Sequence, residues 1–154
     1  MKLRIVMMLS IVAICSLALT RPASAFLADP GAPSSEKARL IGAWHLVSMG
    51  DSATGGNIKG TLIYTADGHM SVQLMFPPSQ STLSNDYVLN GYEASFGSYT
   101  LDEKTHTVTH HVQGSVTRGL VGKDLPRIYQ LSGNRMTIRS ANPEEHWSVI
   151  WEHE

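Results

Sequence analysis

The sequence predicts an all-β domain, an eight-stranded antiparallel up-and-down barrel with a short helical lid segment. Three observations carry this. From Trp44 onward apolar and polar residues alternate with period two, the pattern of strands that face a core on one side and water on the other. Tight-turn signals separate the runs, among them Ala66-Asp67-Gly68-His69 and Ser132-Gly133-Asn134-Arg135, where glycine or asparagine takes up positive φ. Only one long break, residues 77–93, interrupts the hairpins, and no amphipathic helix of more than three turns accompanies it. An open sheet of eight strands would leave two unpaired edges, and closing it removes both. A barrel of this size has room inside for its own side chains or for one small ligand.

The chain begins with a segment that does not belong to the barrel. Lys2 and Arg4 precede an apolar run, Ile5 to Leu19, broken only by Ser10 and Ser16, and Ala23-Ser24-Ala25 supplies the small residues of a cleavage site. The run is shorter than the ~20 residues that span a bilayer. Residues 1–25 therefore read as a signal peptide cleaved after Ala25, with a periplasmic or secreted product that keeps no membrane attachment. Cys15 lies in mid-run behind the bulky Ile14, so it does not read as a lipidation site. Its removal leaves no thiol and no disulfide. Loss of Lys2, Arg4 and Arg21 leaves nine Lys and Arg against thirteen Asp and Glu, a formal charge of −4. With no basic run, neither nucleic acid nor an anionic membrane is expected as a partner. The sequence carries no signal of oligomeric state.

Residues 26–37, FLADPGAPSSEK, are rich in Pro, Gly and Ser and read as a flexible linker, with the barrel domain at 38–154. Ser34 or Ser35 can cap one helical turn through EKARLIG. Strands are expected at 42–49, 58–66, 69–76, 96–101, 106–113, 124–132, 135–140 and 146–152. In the lid segment Ser81 or Ser84 can cap a short helix.

Alternation sorts the faces. Trp44 and Leu46 point inward from the first strand, Leu62 and Tyr64 from the second, and Met70, Val72, Leu74 and Phe76 from the third. Tyr99 and Leu101 do so from the fourth, Met136 and Ile138 from the seventh, and Trp147, Val149 and Trp151 from the last. In the fifth strand His110 shares a face with Val108 and Val112, whereas its neighbour His111 takes the opposite face, so the pair cannot ligate one ion. His106 lies roughly 13 Å along the strand from His110, and no trio of ligands with metal spacing is apparent. No metal and no cofactor are expected. In the sixth strand Arg127 lies on the apolar face with Leu125, Tyr129 and Leu131. A buried guanidinium is costly unless it is paired, and no carboxylate falls on the predicted inward faces. Arg127 either crosses the barrel floor to stack on Trp44 or Trp151, or awaits an anionic or carbonyl-bearing ligand.

LIGAWHLVS at 40–48 resembles the G-x-W opening of the calycin superfamily. The blocks GTLIYTADGHMSVQLM (60–75), GYEASFGSYTLDEKTHTVTHHVQGS (91–115), RIYQLSGNRMTI (127–138) and IWEHE (150–154) resemble, in that order, the bacterial and fungal lipocalin-like domain family. The resemblance covers about residues 38–153. It implies a calycin-type barrel in which Gly42 and Trp44 are structural, with Trp44 packed by the late-strand arginine, Arg127. Two departures stand out: VTRGLVG at 116–122 replaces a Pro-Asn-Trp-like segment, and His153 stands where relatives usually carry arginine. A shared barrel does not transfer a reaction.

Three functions follow from the inward faces. The first is an exported protein that binds a small apolar or amphipathic molecule in the barrel, with Tyr64, Tyr99, His110, Arg127 and Tyr129 as ligand-binding residues and Gly42, Trp44 and Trp151 as structural ones. The second is a cofactor-free isomerase, cyclase or lyase with His110 as general acid–base, Tyr99 or Tyr64 as oxyanion donor and Arg127 stabilising negative charge. The third is a periplasmic protein-binding module; the outward His45, His111 and Ile150 form no apolar patch, which leaves the 77–93 lid segment as its candidate surface.

Overall fold

Ser35, of the two candidate serines, caps an α-helix, the one found among the described residues: its hydroxyl accepts from the Ala38 N–H, and helix α1 runs Glu36–Leu40. The computed structural model describes residues 35–50 and 57–154, so the signal-like segment 1–25 and most of the linker lie outside the described residues. The strands that follow are β1 (Gly42–Met49), β2 (Lys59–Tyr64), β3 (His69–Met75), β4 (Tyr92–Asp102), β5 (Thr107–Ser115), β6 (Asp124–Ser132), β7 (Arg135–Ser140) and β8 (Ser148–His153). Each pairs antiparallel with the next, and β8 pairs back onto β1, closing the barrel. The closing seam sets Leu46 opposite Trp151, with a bulge between Leu46 and Ser48 that returns Met49 to the inside.

Alternation places the predicted inward residues in the core. Trp44, Leu62, Tyr64, Met70, Val108, Tyr129, Met136 and Trp151 are all buried, and Leu46, Phe76, Leu101, Leu131 and Trp147 pack against them. The main difference is at β4, which begins at Tyr92 rather than at 96 and runs to Asp102. Glu93 and Ser95 hide the period-two signal there, because both are polar yet point inward. Residues 77–91 carry no α-helix. One 3-10 turn, Pro78–Gln80, precedes both candidate caps, and Ser84, one of the two, bonds elsewhere, as does its neighbour Asn85. Ser84 accepts from the Asn90 N–H, and Asn85 Oδ1 accepts from the N–H groups of Tyr87 and Val88. Asn90 and Gly91 then turn the chain at positive φ into β4.

One end of the barrel is plugged. The Trp44 indole donates to the Leu40 carbonyl at 2.8 Å, and its ring meets the His153 imidazole edge-on at 4.6 Å. His153 Nε2 bonds in turn to the Ile41 carbonyl at 3.0 Å. His153 thus packs the tryptophan, a place the resemblance had implied for Arg127. Gly42 is needed beneath it, at φ +136, because a Cβ there would overlap the His153 ring. At the same end the Tyr129 hydroxyl donates to Glu36 at 2.5 Å, and His106 bonds the same carboxylate oxygen at 3.2 Å, which ties α1 to the sheet.

Candidate functional site

The opposite half of the barrel is hollow. A cavity of about 250 Å³ lies where the segments 76–91, 116–123 and 141–147 gather. Apolar side chains make most of its wall, including Leu62, Val72, Leu74, Val149 and Trp151; Glu93, Ser95, His110 and Arg127 are the polar groups that reach it from β4, β5 and β6.

His110 is 7% exposed, and its Nε2 lies 2.6 Å from the Tyr64 hydroxyl. Burial, then the charges of Arg127 and His111, lower its pKa to about 3, so the imidazole is neutral. Burial likewise drives the Tyr64 phenol upward and keeps its proton on. The Tyr64 hydroxyl has no other acceptor among the described residues, so it donates to Nε2 and the ring carries its own proton on Nδ1. That Nδ1–H has no partner among the described residues. Tyr64→Phe would leave Nε2 without its donor and is expected to cost about 1–3 kcal/mol, read as a shift in the urea midpoint at unchanged slope. A midpoint equal to that of the parent would show that the hydrogen bond contributes nothing.

Arg127 is also 7% exposed. Its guanidinium lies over the Trp147 ring at 4.7 Å and over the Tyr87 ring at 5.2 Å, not over Trp44 or Trp151. Both rings are held by one carboxylate. Glu145 accepts from the Tyr87 hydroxyl at 3.0 Å and from the Trp147 indole at 2.8 Å. Burial pulls the Glu145 pKa up, but hydrogen bonds from Trp147, Ser140 and Tyr87, with the charge of Arg127, outweigh this and hold it below the usual range. Glu93 has no such donors. Burial raises it to about 7 against the pull of Arg127. The expectation of no inward carboxylate therefore fails at Glu93, because the strand that carries it starts four residues earlier than the alternation showed.

The predicted site residues separate into three groups. His110 and Arg127 line the cavity together, and Trp151 forms part of its wall. Tyr64 stands behind His110, and Tyr99 behind Tyr64 with ring centres 4.8 Å apart. The Tyr99 hydroxyl turns away to the Thr65 carbonyl, and Tyr129 is spent on Glu36 at the plugged end, so neither reaches the cavity. Both residues do point inward; their strands simply place them too near the plug. The site reading omitted Glu93, Ser95, Tyr87 and Trp147 among other residues of the cavity wall. Trp147 was legible, since alternation groups it with the inward Val149 and Trp151, although it precedes β8 in the structure.

On the outer wall His111 bonds Asp124 at 2.6 Å through Nδ1 and Thr100 at 3.1 Å through Nε2. The order hydroxyl–imidazole–carboxylate is that of a hydrolytic triad. The three residues nonetheless sit within the ladders of β4, β5 and β6, whose N–H groups are committed to pairing, and none of them lines the cavity. Without an oxyanion hole the trio is a cross-strand hydrogen-bonded cluster.

Residues 41–153 match the model of the lipocalin-like domain. The chain belongs to the lipocalin-like domain family. No curated protein matches this lipocalin-like chain. Among solved structures it is similar to two mutants of the fluorescent protein UnaG. One is 8% identical at a TM-score of 0.40, covering 76% of this chain and 97% of that one. The other is 9% identical at a TM-score of 0.39, covering 75% and 96%.

Proposed function

We propose that this lipocalin-like domain is an exported protein that binds a small, largely apolar molecule inside its barrel. The carrying observation is the cavity, apolar over most of its wall, with a few convergent polar groups. That is the usual make-up of a ligand site, and about 250 Å³ lies just below the roughly 300–1,000 Å³ range of pockets for drug-sized ligands. Export rests on the signal-like residues 1–25.

Two of the cavity residues, Trp147 and Trp151, report occupancy by fluorescence. A panel of small aliphatic ligands is expected to change that signal saturably, and Leu74→Trp, which fills the cavity, to abolish the change at a cost of about 1–3 kcal/mol from overpacking. No response from any ligand, or full binding by the filled variant, would remove the reading. Recovery of tagged full-length chain in the cytoplasmic fraction would remove its export half.

The acid–base alternative loses support at His110, since a general base works best with a pKa near the operating pH and this one lies at about 3. A protein-binding role draws on one observation that the sequence reading lacked. Tyr92 and Phe96 are more than half exposed on the outer face of β4, with Met75 paired beside Tyr92.

A further inference from the structure

We propose that the occupant of the cavity is an amphipathic carboxylic acid whose ionised head sits on the Arg127 guanidinium and whose aliphatic tail lies along Leu62, Val72 and Leu74. This rests on the ligand-binding reading above and adds to it the chemical class of the ligand.

The starting point is a buried charge with no direct ion pair. Arg127 is buried, and among the described residues no carboxylate oxygen comes within 4.0 Å of it. A buried guanidinium without a counter-ion is costly, and a protein that keeps one usually presents it to something anionic. The Trp147 and Tyr87 rings lie 4.7 and 5.2 Å from it and, with their centres 6.3 Å apart, sit on adjoining sides of the guanidinium. Rings grouped on adjoining sides leave donors elsewhere on the guanidinium, and two such donors form the fork that matches a carboxylate with two parallel hydrogen bonds. The guanidinium lies beside the Tyr87 hydroxyl, which can take one of its donors, and pairs with no carboxylate among the described residues. The stack itself is preset. Glu145 holds both rings with its own oxygens, so the fork is oriented before any ligand arrives.

Two further groups bear on the same spot. The Nδ1–H of His110 is a spare neutral donor on the cavity wall. Glu93 is the one carboxyl group on that wall, and when ionised it competes with a ligand for Arg127. The titratable and charged groups that face Arg127 are Glu93 from β4, His110 from β5, and Tyr87 and Glu145 from the two segments above it, with Tyr64 behind His110. Between pH 6 and 8 only Glu93 changes charge among those whose pKa is shifted toward that window, rising to about 7. Ligand acids stay ionised there, so the affinity for an acid falls as pH rises from 6 to 8.

The cavity volume equals about eight waters at liquid density, room for on the order of ten non-hydrogen atoms. Octanoate, octan-1-ol and octylamine are therefore suitable probes, differing in the head alone. Titrated calorimetrically into the mature protein at pH 6, octanoate is expected to bind at least ~10-fold more tightly than octan-1-ol, the ratio that a charge-assisted hydrogen bond supplies, and octylamine most weakly. Arg127→Met, which replaces the buried charge with apolar volume, and Arg127→Lys, which keeps the charge but loses the fork, should each remove the octanoate preference and leave octan-1-ol binding in place. Glu93→Gln should flatten the loss of octanoate affinity between pH 6 and 8. Equal binding of octanoate and octan-1-ol by the parent protein would overturn the carboxylate assignment while leaving the ligand-binding reading intact. Binding of none of the three would overturn both.

Discussion

Trp44→Ala is expected to lower the free energy of unfolding by about 3–5 kcal/mol, the range for truncating a buried tryptophan. The residue is 1% exposed and plugs the closed end of the barrel. Three separate contacts end there: packing in the core cluster, the indole hydrogen bond to Leu40, and the edge contact with His153. Alanine would open a cavity that the neighbouring strands cannot close, because β1 is pinned on both sides by β2 and β8. It would also leave the Leu40 carbonyl without its side-chain donor. Urea denaturation followed by far-UV circular dichroism measures the change. A loss below ~1 kcal/mol would mean that the plug is not a structural element. Trp147→Ala is the comparison. That ring is only partly buried in a connecting segment, so it should cost less stability and act mainly on Arg127.

Gly97→Ala is the second large effect, expected to cost more than about 3 kcal/mol or to prevent folding, which places it in the exceptional tail of single substitutions. Gly97 lies where the pairing of β4 and β5 slips by one residue, between Phe96 and Gly97. A Cβ there would overlap the His111 carbonyl oxygen and stand 2.9 Å from the Gln113 nitrogen, both backbone atoms of the bulged strand. Neither can move without breaking the ladder, which is the usual reason for glycine at such a bulge. Gly119→Ala is the control, since nothing lies within 4 Å of its would-be Cβ; its effect should stay within about 1 kcal/mol of neutral. Thermal melts of the two variants beside the parent decide the matter. Similar melting temperatures for both would show that the close approach at Gly97 is relieved at little cost.

The bulge at Gly97 also bears on what was legible beforehand. β6 and β7 fall at the predicted 124–132 and 135–140, because a two-residue turn and strict alternation leave no other register. β4 was read short because Glu93 and Ser95 occupy inward positions with polar side chains, and a hydrophobicity pattern cannot distinguish such residues from a loop. The same polar pair lines the cavity, so the place where the alternation failed is also the place where the candidate site gained its carboxyl group. The lid helix expected from Ser81 or Ser84 did not form, since Ser84 and Asn85 bond to nearby backbone instead.

Residue order alone determined the closed eight-stranded architecture, which apolar side chains of the predicted strands face inward, and the division of His110 from His111. These follow from local rules, a period of two and the chemistry of turns, that act between neighbours along the chain. Only the tertiary structure decided which inward residues share a void. Depth along a strand and the rotamer of each side chain are set by contacts between residues far apart in sequence: Tyr129 is drawn to Glu36, 93 positions away, while Arg127, two positions before it, packs against Trp147 and Tyr87. Alternation assigns both residues to one face, and packing sends them to opposite ends of the barrel.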